Sequence, residues 1–148
     1  MGFDTSLGAF NISASGLTAE RMRMEVVANN IANASTTRTP EGGAYRRKDI
    51  VFETAMSTEG PGPRGSVEST GLAGVRTVGV VDDMSEMPRR YEPGHPDADP
   101  EGFVTMPNVN LPMEMVNLIT ATRAYEANLK AAQNFVDMNQ QALAIVRG

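Results

Sequence analysis

The two ends of the chain repeat one pattern, an alternating four-three spacing of apolar residues. Near the N-terminus it runs through Phe3, Leu7, Phe10, Ala14, Leu17, Arg21, Met24, Ala28 and Ile31, with Arg21 its one polar member. Near the C-terminus it runs through Met115, Leu118, Thr122, Tyr125, Leu129, Ala132, Val136, Asn139, Leu143 and Val146. Heptad spacing held over four or more repeats specifies long helices that pack along a narrow stripe at small crossing angles. At about 1.5 Å per residue the second helix reaches on the order of 55 Å, too long for a compact domain of this size. Asn110 can cap it, Pro112 falls in its first turn where a missing N–H is harmless, and Glu114 suits the helix dipole. In the first helix Ser13, Ser15 and Gly16 form a weak spot, because Gly costs about 1 kcal/mol against Ala. A break near residue 15 and a firmer helix over 17–33 are expected.

Between the ends the composition changes. Residues 36–110 hold 18 of the 23 Gly and Pro residues and 20 of the 31 charged side chains, so turns concentrate there. The expected order is an N-terminal helix (1–35), a β- and loop-rich insert (36–110) and a C-terminal helix (111–148). The fold class is mainly α, with the terminal helices paired as a coiled coil and a small β-rich insert of short strands and loops. Within the insert AYRRKDIVFE (44–53) and GVRTVGVV (74–81) have strand character, EGG and GPGPRG mark turns, and 56–72 is expected to be mobile.

Several functional classes fall away. With no cysteine there are no disulfides and no thiolate metal sites. A formal charge of −5 argues against nucleic acid. The run Tyr45, Arg46, Arg47 and Lys48 then reads as a solvated strand face, or as a salt-bridging patch against a neighbouring subunit. The start MGFDTSLGAFNISAS lacks a basic opening and an apolar run, so no cleaved signal peptide is expected. HPDADPE places His95, Asp97, Asp99 and Glu101 at alternate positions, but its prolines oppose a calcium loop, and a stiff turn without metal is expected. No nucleophile–base set or phosphate loop accompanies the single histidine, so neither an enzyme nor a cofactor is expected.

The far faces of the helices carry a further expectation. Solvated coiled-coil surfaces are crowded with Glu and Lys, whereas the second helix spends outer positions on Ala121, Ala124, Ala127, Asn128, Ala131, Asn134, Gln140 and Gln141. Both faces therefore read as contact faces. Burying the seams alone falls short of the entropy of ordering two such helices, so the lone chain is expected to order fully only against neighbours. In ANNIANASTT (28–37), Asn29 and Asn33 share a face with Asn30 about 100° away, and their amides read as bonds to adjacent subunits.

SGLTAERMRMEVVANNIANASTT (15–37) resembles the N-terminal signature of the bacterial flagellar axial proteins, the rod and hook family. TTRTPEGGAYRRKDIVFE (36–53), EPGHPDADPEGFVTMPNVN and EMVNLITATRAYEAN narrow the likeness to rod proteins of the flagellar basal body. The resemblance implies a structural subunit of the proximal rod, assembled through its terminal helices into a helical tube that transmits torque and surrounds an export channel. It implies a place in the periplasm-spanning rod and export without a cleaved signal peptide through the flagellar type III apparatus. The implied partners are further copies, rod proteins of the FlgB, FlgF and FlgG types, and an adaptor of the FliE type. The contact residues would be Leu17, Met24, Ile31, Met115, Leu118, Tyr125, Leu129, Val136 and Leu143 along the seams, with Asn29, Asn30, Asn33 and the Tyr45–Lys48 patch. The alternative is a freestanding coiled-coil adaptor with a β-rich insert, which would form a defined dimer.

Overall fold

The computed structural model describes residues 2–58 and 69–147. Six elements follow in chain order: α1 (Gly2–Ala32), β1 (Lys48–Thr58), β2 (Ser69–Asp82), β3 (Arg89–Tyr91), β4 (Phe103–Thr105) and α2 (Leu111–Arg147). The chain is mainly helical with a small β insert. β1 pairs with β2 in one two-stranded sheet and β3 with β4 in another, antiparallel, with Tyr91 opposite Phe103. β1 and β2 overlap the two segments of strand character, while three-residue strands offer too little alternation to be read from sequence. The GPGPRG turn and residues 59–68 of the stretch expected to be mobile lie outside the described residues.

The start of α2 is as its sequence indicates. Asn110 Oδ1 accepts a hydrogen bond from the backbone N–H of Met113 (3.2 Å), and the Glu114 N–H reaches the Asn110 carbonyl (2.9 Å). The expected break in α1 does not occur, and the helix runs unbroken through Gly16. Its hydroxyls bond back onto the helix, Ser15 Oγ to the Ile12 carbonyl (2.7 Å) and Thr18 Oγ1 to the Ala14 carbonyl (3.1 Å). Gly16 is a contact point: a Cβ there would lie 2.8 Å from Asn128 Nδ2. Close approach by α2 thus outweighs the propensity penalty of glycine.

Packing divides the chain differently from its linear order. One compact unit takes Met1–Met22, Phe52–Val78 and Ala121–Gly148, and the other Arg23–Val51 and Gly79–Thr120. In the first, α1 meets α2 at Gly16 and Asn128 and meets β2 at Gly74, whose φ of +114° brings the strand onto Ser15. Ser15 Oγ there accepts the Val75 N–H (3.1 Å). In the second, Asn30 bonds Glu114, and one turn away Val27 and Asn117 line the same small cleft, so the two helical stretches run antiparallel. Val27, Ile50 and Val104 form its apolar interior.

The heptad seam exists with alternate positions moved: Leu118, Tyr125, Ala132 and Asn139 of α2 are sheltered as expected, whereas Glu114, Asn128 and Phe135 take the places expected of Met115, Leu129 and Val136, giving a slightly rotated stripe. In α2 the sheltered positions include Glu114, Leu118, Ala121, Tyr125, Asn128, Ala132, Phe135 and Asn139, with Asn117, Thr122, Ala124 and Ala131 half-buried beside them. Met115, Leu129, Val136 and Leu143, placed on the seam by their hydropathy, stand exposed. In α1 the sheltered set includes Ser13, Gly16, Ala19, Val27 and Asn30, with Leu17, Met24 and Ile31 half-buried beside it. Small and mutually bonded polar residues let the backbones approach closely, and this selects a different stripe from the most apolar one.

Candidate functional site

The amide-rich end of α1 separates into three roles. Asn33 finishes the helix: its Nδ2 donates to the Asn29 carbonyl (2.9 Å), and its Oδ1 accepts from Thr36 Oγ1 (3.2 Å). Asn29 lies exposed. Asn30 has 0% exposure and all its polar capacity engaged within the chain. Its Nδ2 donates to the Lys48 carbonyl (2.8 Å) and to Glu114 Oε2 (3.1 Å). Its Oδ1 accepts from the Lys48 N–H and from the Tyr45 hydroxyl, both at 2.9 Å. Asn30 is therefore corrected from a surface contact to an internal fastener, because its amide both donates to and accepts from the backbone of Lys48.

The basic run is corrected in the same way, for it turns inward. Arg47 Nε donates to Glu114 Oε1 (2.9 Å), and its terminal nitrogen reaches Asp49 (3.2 Å) and Asp83 (3.4 Å). Arg46 bonds the carbonyls of Asp83 (3.0 Å) and Ser85 (3.2 Å). Asn108 completes the frame, accepting the Arg47 N–H (2.7 Å) and donating to the Asp83 carbonyl (3.0 Å). Only Lys48 leaves its side chain on the surface. Glu114 thus sits buried in the first turn of α2, held by Arg47, Asn30 and, at 3.4 Å, Asn117. The positive end of the helix dipole favours its carboxylate there.

The electrostatics follow from this geometry. Burial raises the Tyr45 hydroxyl above its ordinary value, and Asp82 and Glu114 push it further, so it stays a neutral donor to Asn30. Burial opposes the charge on Arg47, but hydrogen bonds to Glu114 and Asp49 outweigh it and hold the guanidinium protonated. Asp83 is lowered, first by the Ser85 N–H on its carboxylate.

The HPDADPE segment forms a closed turn between β3 and β4. Asp99 Oδ1 accepts the N–H groups of Phe103 (2.8 Å) and Glu101 (3.0 Å), and its other oxygen pairs with Arg89. The Phe103 bond is the main cause of its lowered pKa. Asp97 accepts from Thr37 Oγ1 (2.8 Å), and His95 Nδ1 accepts the Asp97 N–H (3.1 Å). These oxygens bond the loop's own backbone and the side chains of Thr37 and Arg89, and among the described residues no three such side chains converge as for a metal.

Two separate stretches match known families. Residues 10–38 match the family described as "Flagella basal body rod protein", and residues 101–145 that described as "Flagellar basal body rod FlgEFG protein C-terminal". Asn30 lies in the first and Glu114 in the second. Over nearly the whole chain it is similar to proteins called flagellar basal-body rod protein FlgC. It is 42% identical over 147 residues to that of Borreliella burgdorferi, covering 95% of this chain and 97% of the relative. For Bacillus subtilis the figures are 37% over 147 residues, 95% and 98%, and for Escherichia coli O157:H7 37% over 139 residues, 94% and 96%. The chain belongs to the FlgC family of flagellar basal-body rod proteins. As a FlgC-family protein it is a structural subunit of the rod, not an enzyme, and its place is the flagellum.

Glu114 was legible in the FlgC-family sequence only as a dipole partner. One signal for its role was there: it is one of only six charged residues in 111–148, and the densest basic run lies upstream at Arg46–Lys48. No helix described is long and apolar enough to cross a membrane.

Proposed function

We propose that this FlgC-family chain builds the proximal rod by docking the outer face of α2 onto neighbouring subunits in a helical tube. The neighbours are further copies and rod proteins of the FlgB, FlgF and FlgG types, with a FliE-type adaptor at the base. The tube surrounds an export channel and transmits torque, and the subunit reaches it uncleaved through the flagellar type III apparatus. One observation carries this reading. With the rotated seam already occupied inside the chain, α2 still leaves Leu111, Met115 and Ile119, four residues apart, uncovered together with Met113 and Val116. Contiguous exposed apolar surface of this kind marks an interaction site. Leu129, Val136 and Leu143 extend the same character further along the helix. Leu17, Met24 and Ile31 stay half-buried beside the seam that holds Leu118 and Tyr125, Asn29 offers a free amide, and Lys48 offers a surface cation.

The test is imaging of basal bodies from a strain lacking the chain, complemented by wild type or by Ile119→Asp. The deletion should lose the rod beyond the membrane ring. The exported Ile119→Asp protein should fail to restore it while keeping the monomer's helix content by circular dichroism. A full-length rod with Ile119→Asp would refute the docking face.

A further inference from the structure

Methionine is the only readily oxidised side chain in this protein, which has ten of them and neither cysteine nor tryptophan. Their settings differ sharply. Met22, Met24, Met87 and Met106 are half-buried, whereas Met84, Met113, Met115 and Met138 are exposed by 82%, 61%, 54% and 61%. Met84 stands in a connecting segment between β2 and β3, with Asp83, Ser85 and Glu86 around it in sequence. Met113 and Met115 stand in the first turns of α2, among Leu111, Val116 and Ile119, which are likewise uncovered.

Thioether oxidation follows exposure, and it converts a soft apolar group into a polar one with a strong hydrogen-bond acceptor. On Met84 that change meets solvent. On Met113 and Met115 it places an acceptor where an apolar neighbour would have to cover it, and a covered acceptor without a donor is costly.

We propose that Met113 and Met115 are a modification site, oxidised by peroxide to methionine sulfoxide in the unassembled subunit, and that this modification blocks rod incorporation. The inference rests on the docking face proposed above. In the step the sulfur lone pair takes one oxygen from hydrogen peroxide. An S=O bond forms, the O–O bond breaks, water leaves, and sulfur loses two electrons to the peroxide. Methionine sulfoxide reductases, drawing on a thiol reductant, reverse it. Once the face is covered in the rod, the thioethers are sheltered, so sensitivity belongs to the free subunit alone.

The test uses cells lacking the endogenous chain and supplied with wild type, Met84→Leu or the double variant Met113→Leu/Met115→Leu. Leu conserves volume and removes the oxidisable sulfur. The cells are exposed to hydrogen peroxide before rod assembly. Sulfoxide at each position is measured by peptide mass spectrometry, and the chain is counted in purified basal bodies. In wild type Met113, Met115, Met84 and Met138 should oxidise ahead of Met24 and Met106, with incorporation falling about tenfold for each sulfoxide at Met113 and Met115. The double variant should keep its incorporation under peroxide, and Met84→Leu should give no protection. Oxidation of Met113 and Met115 no faster than Met24, or wild-type incorporation unaffected once both are sulfoxides, overturns the proposal. An untreated Val116→Asp arm separates the two readings: full incorporation there removes the docking face itself, whereas its loss together with peroxide-insensitive wild type removes only the oxidation step.

Discussion

Replacing Asn30 by Ala separates an internal fastener from a surface contact. The substitution removes four hydrogen bonds of 2.8–3.1 Å at a position with no solvent access. It strands the Lys48 N–H and carbonyl, the Tyr45 hydroxyl and one oxygen of Glu114. A buried group left without its partner costs about 1–3 kcal/mol. The hydroxyl and the carboxylate can re-form some bonds, so the two backbone groups dominate, and a loss of about 3–5 kcal/mol is expected. Tyr45→Phe removes one donor and leaves Oδ1 still bonded to Lys48, so about 0.5–1.5 kcal/mol is expected. Asn29→Ala touches only an exposed amide and should stay within about 0.5 kcal/mol. Urea unfolding of the purified chain, followed by circular dichroism, ranks the three. If Asn30→Ala costs no more than Asn29→Ala, the fastener does not exist in solution and the amides act elsewhere.

Arg47→Ala leaves the Glu114 carboxylate buried without its cation, and a loss of about 3–5 kcal/mol in the same unfolding assay is expected. Gly74→Ala combines a positive φ with a Cβ directed at Ser15 Oγ, so a cost of about 1–3 kcal/mol is expected, with loss of amide-exchange protection at Val75. Asp99 has its folded pKa lowered, so protonation favours the unfolded loop: its contribution is full above the ordinary carboxylate value of 3.8 and disappears as pH falls through the lowered one. Thermal midpoints measured from neutral pH downward should therefore fall in acid, and Asp99→Asn should flatten that part of the fall. Ala121→Leu overpacks a fully buried position on the inner face and should cost about 1–3 kcal/mol in the monomer, whereas Ile119→Asn on the outer face should leave monomer stability nearly unchanged.

The two long helices were legible because a four-three period has few other solutions, and Asn110 and Pro112 marked the start of α2 closely. The face each helix turns inward was not. Hydropathy ranks Met115 and Leu129 above Glu114 and Asn128, but it cannot register that Gly16 admits Asn128 or that Arg47 and Asn30 satisfy Glu114. Those terms depend on residues more than sixty positions away. The same blindness made Gly16 look like a break and left Arg46–Lys48 reading as a solvated face or as a salt-bridging patch against a neighbour, when Arg47 pairs within the chain. The turn at His95–Glu101 was legible because its prolines and Asp99 act locally, the Asp99 carboxylate bonding backbone two and four residues on, whereas the partner of Asp97 at Thr37 lies sixty residues away.

The rotation of the seam has an energetic consequence. An interface lined by Ser13, Gly16, Asn30, Glu114 and Ala121 removes little apolar surface from water, so it gains less from the hydrophobic effect than a Leu- and Met-filled seam would. What it gains is direction: a bonded set such as Asn30, Tyr45, Arg47 and Glu114 is satisfied in one register only, as polar groups inside helical pairs specify register elsewhere. The large apolar side chains are thereby left for contacts the chain cannot make with itself. A subunit built this way fixes its own shape with hydrogen bonds and keeps its hydrophobic energy for assembly. The free chain is then correctly arranged but weakly stabilised, and its outer contacts complete the stabilisation on assembly.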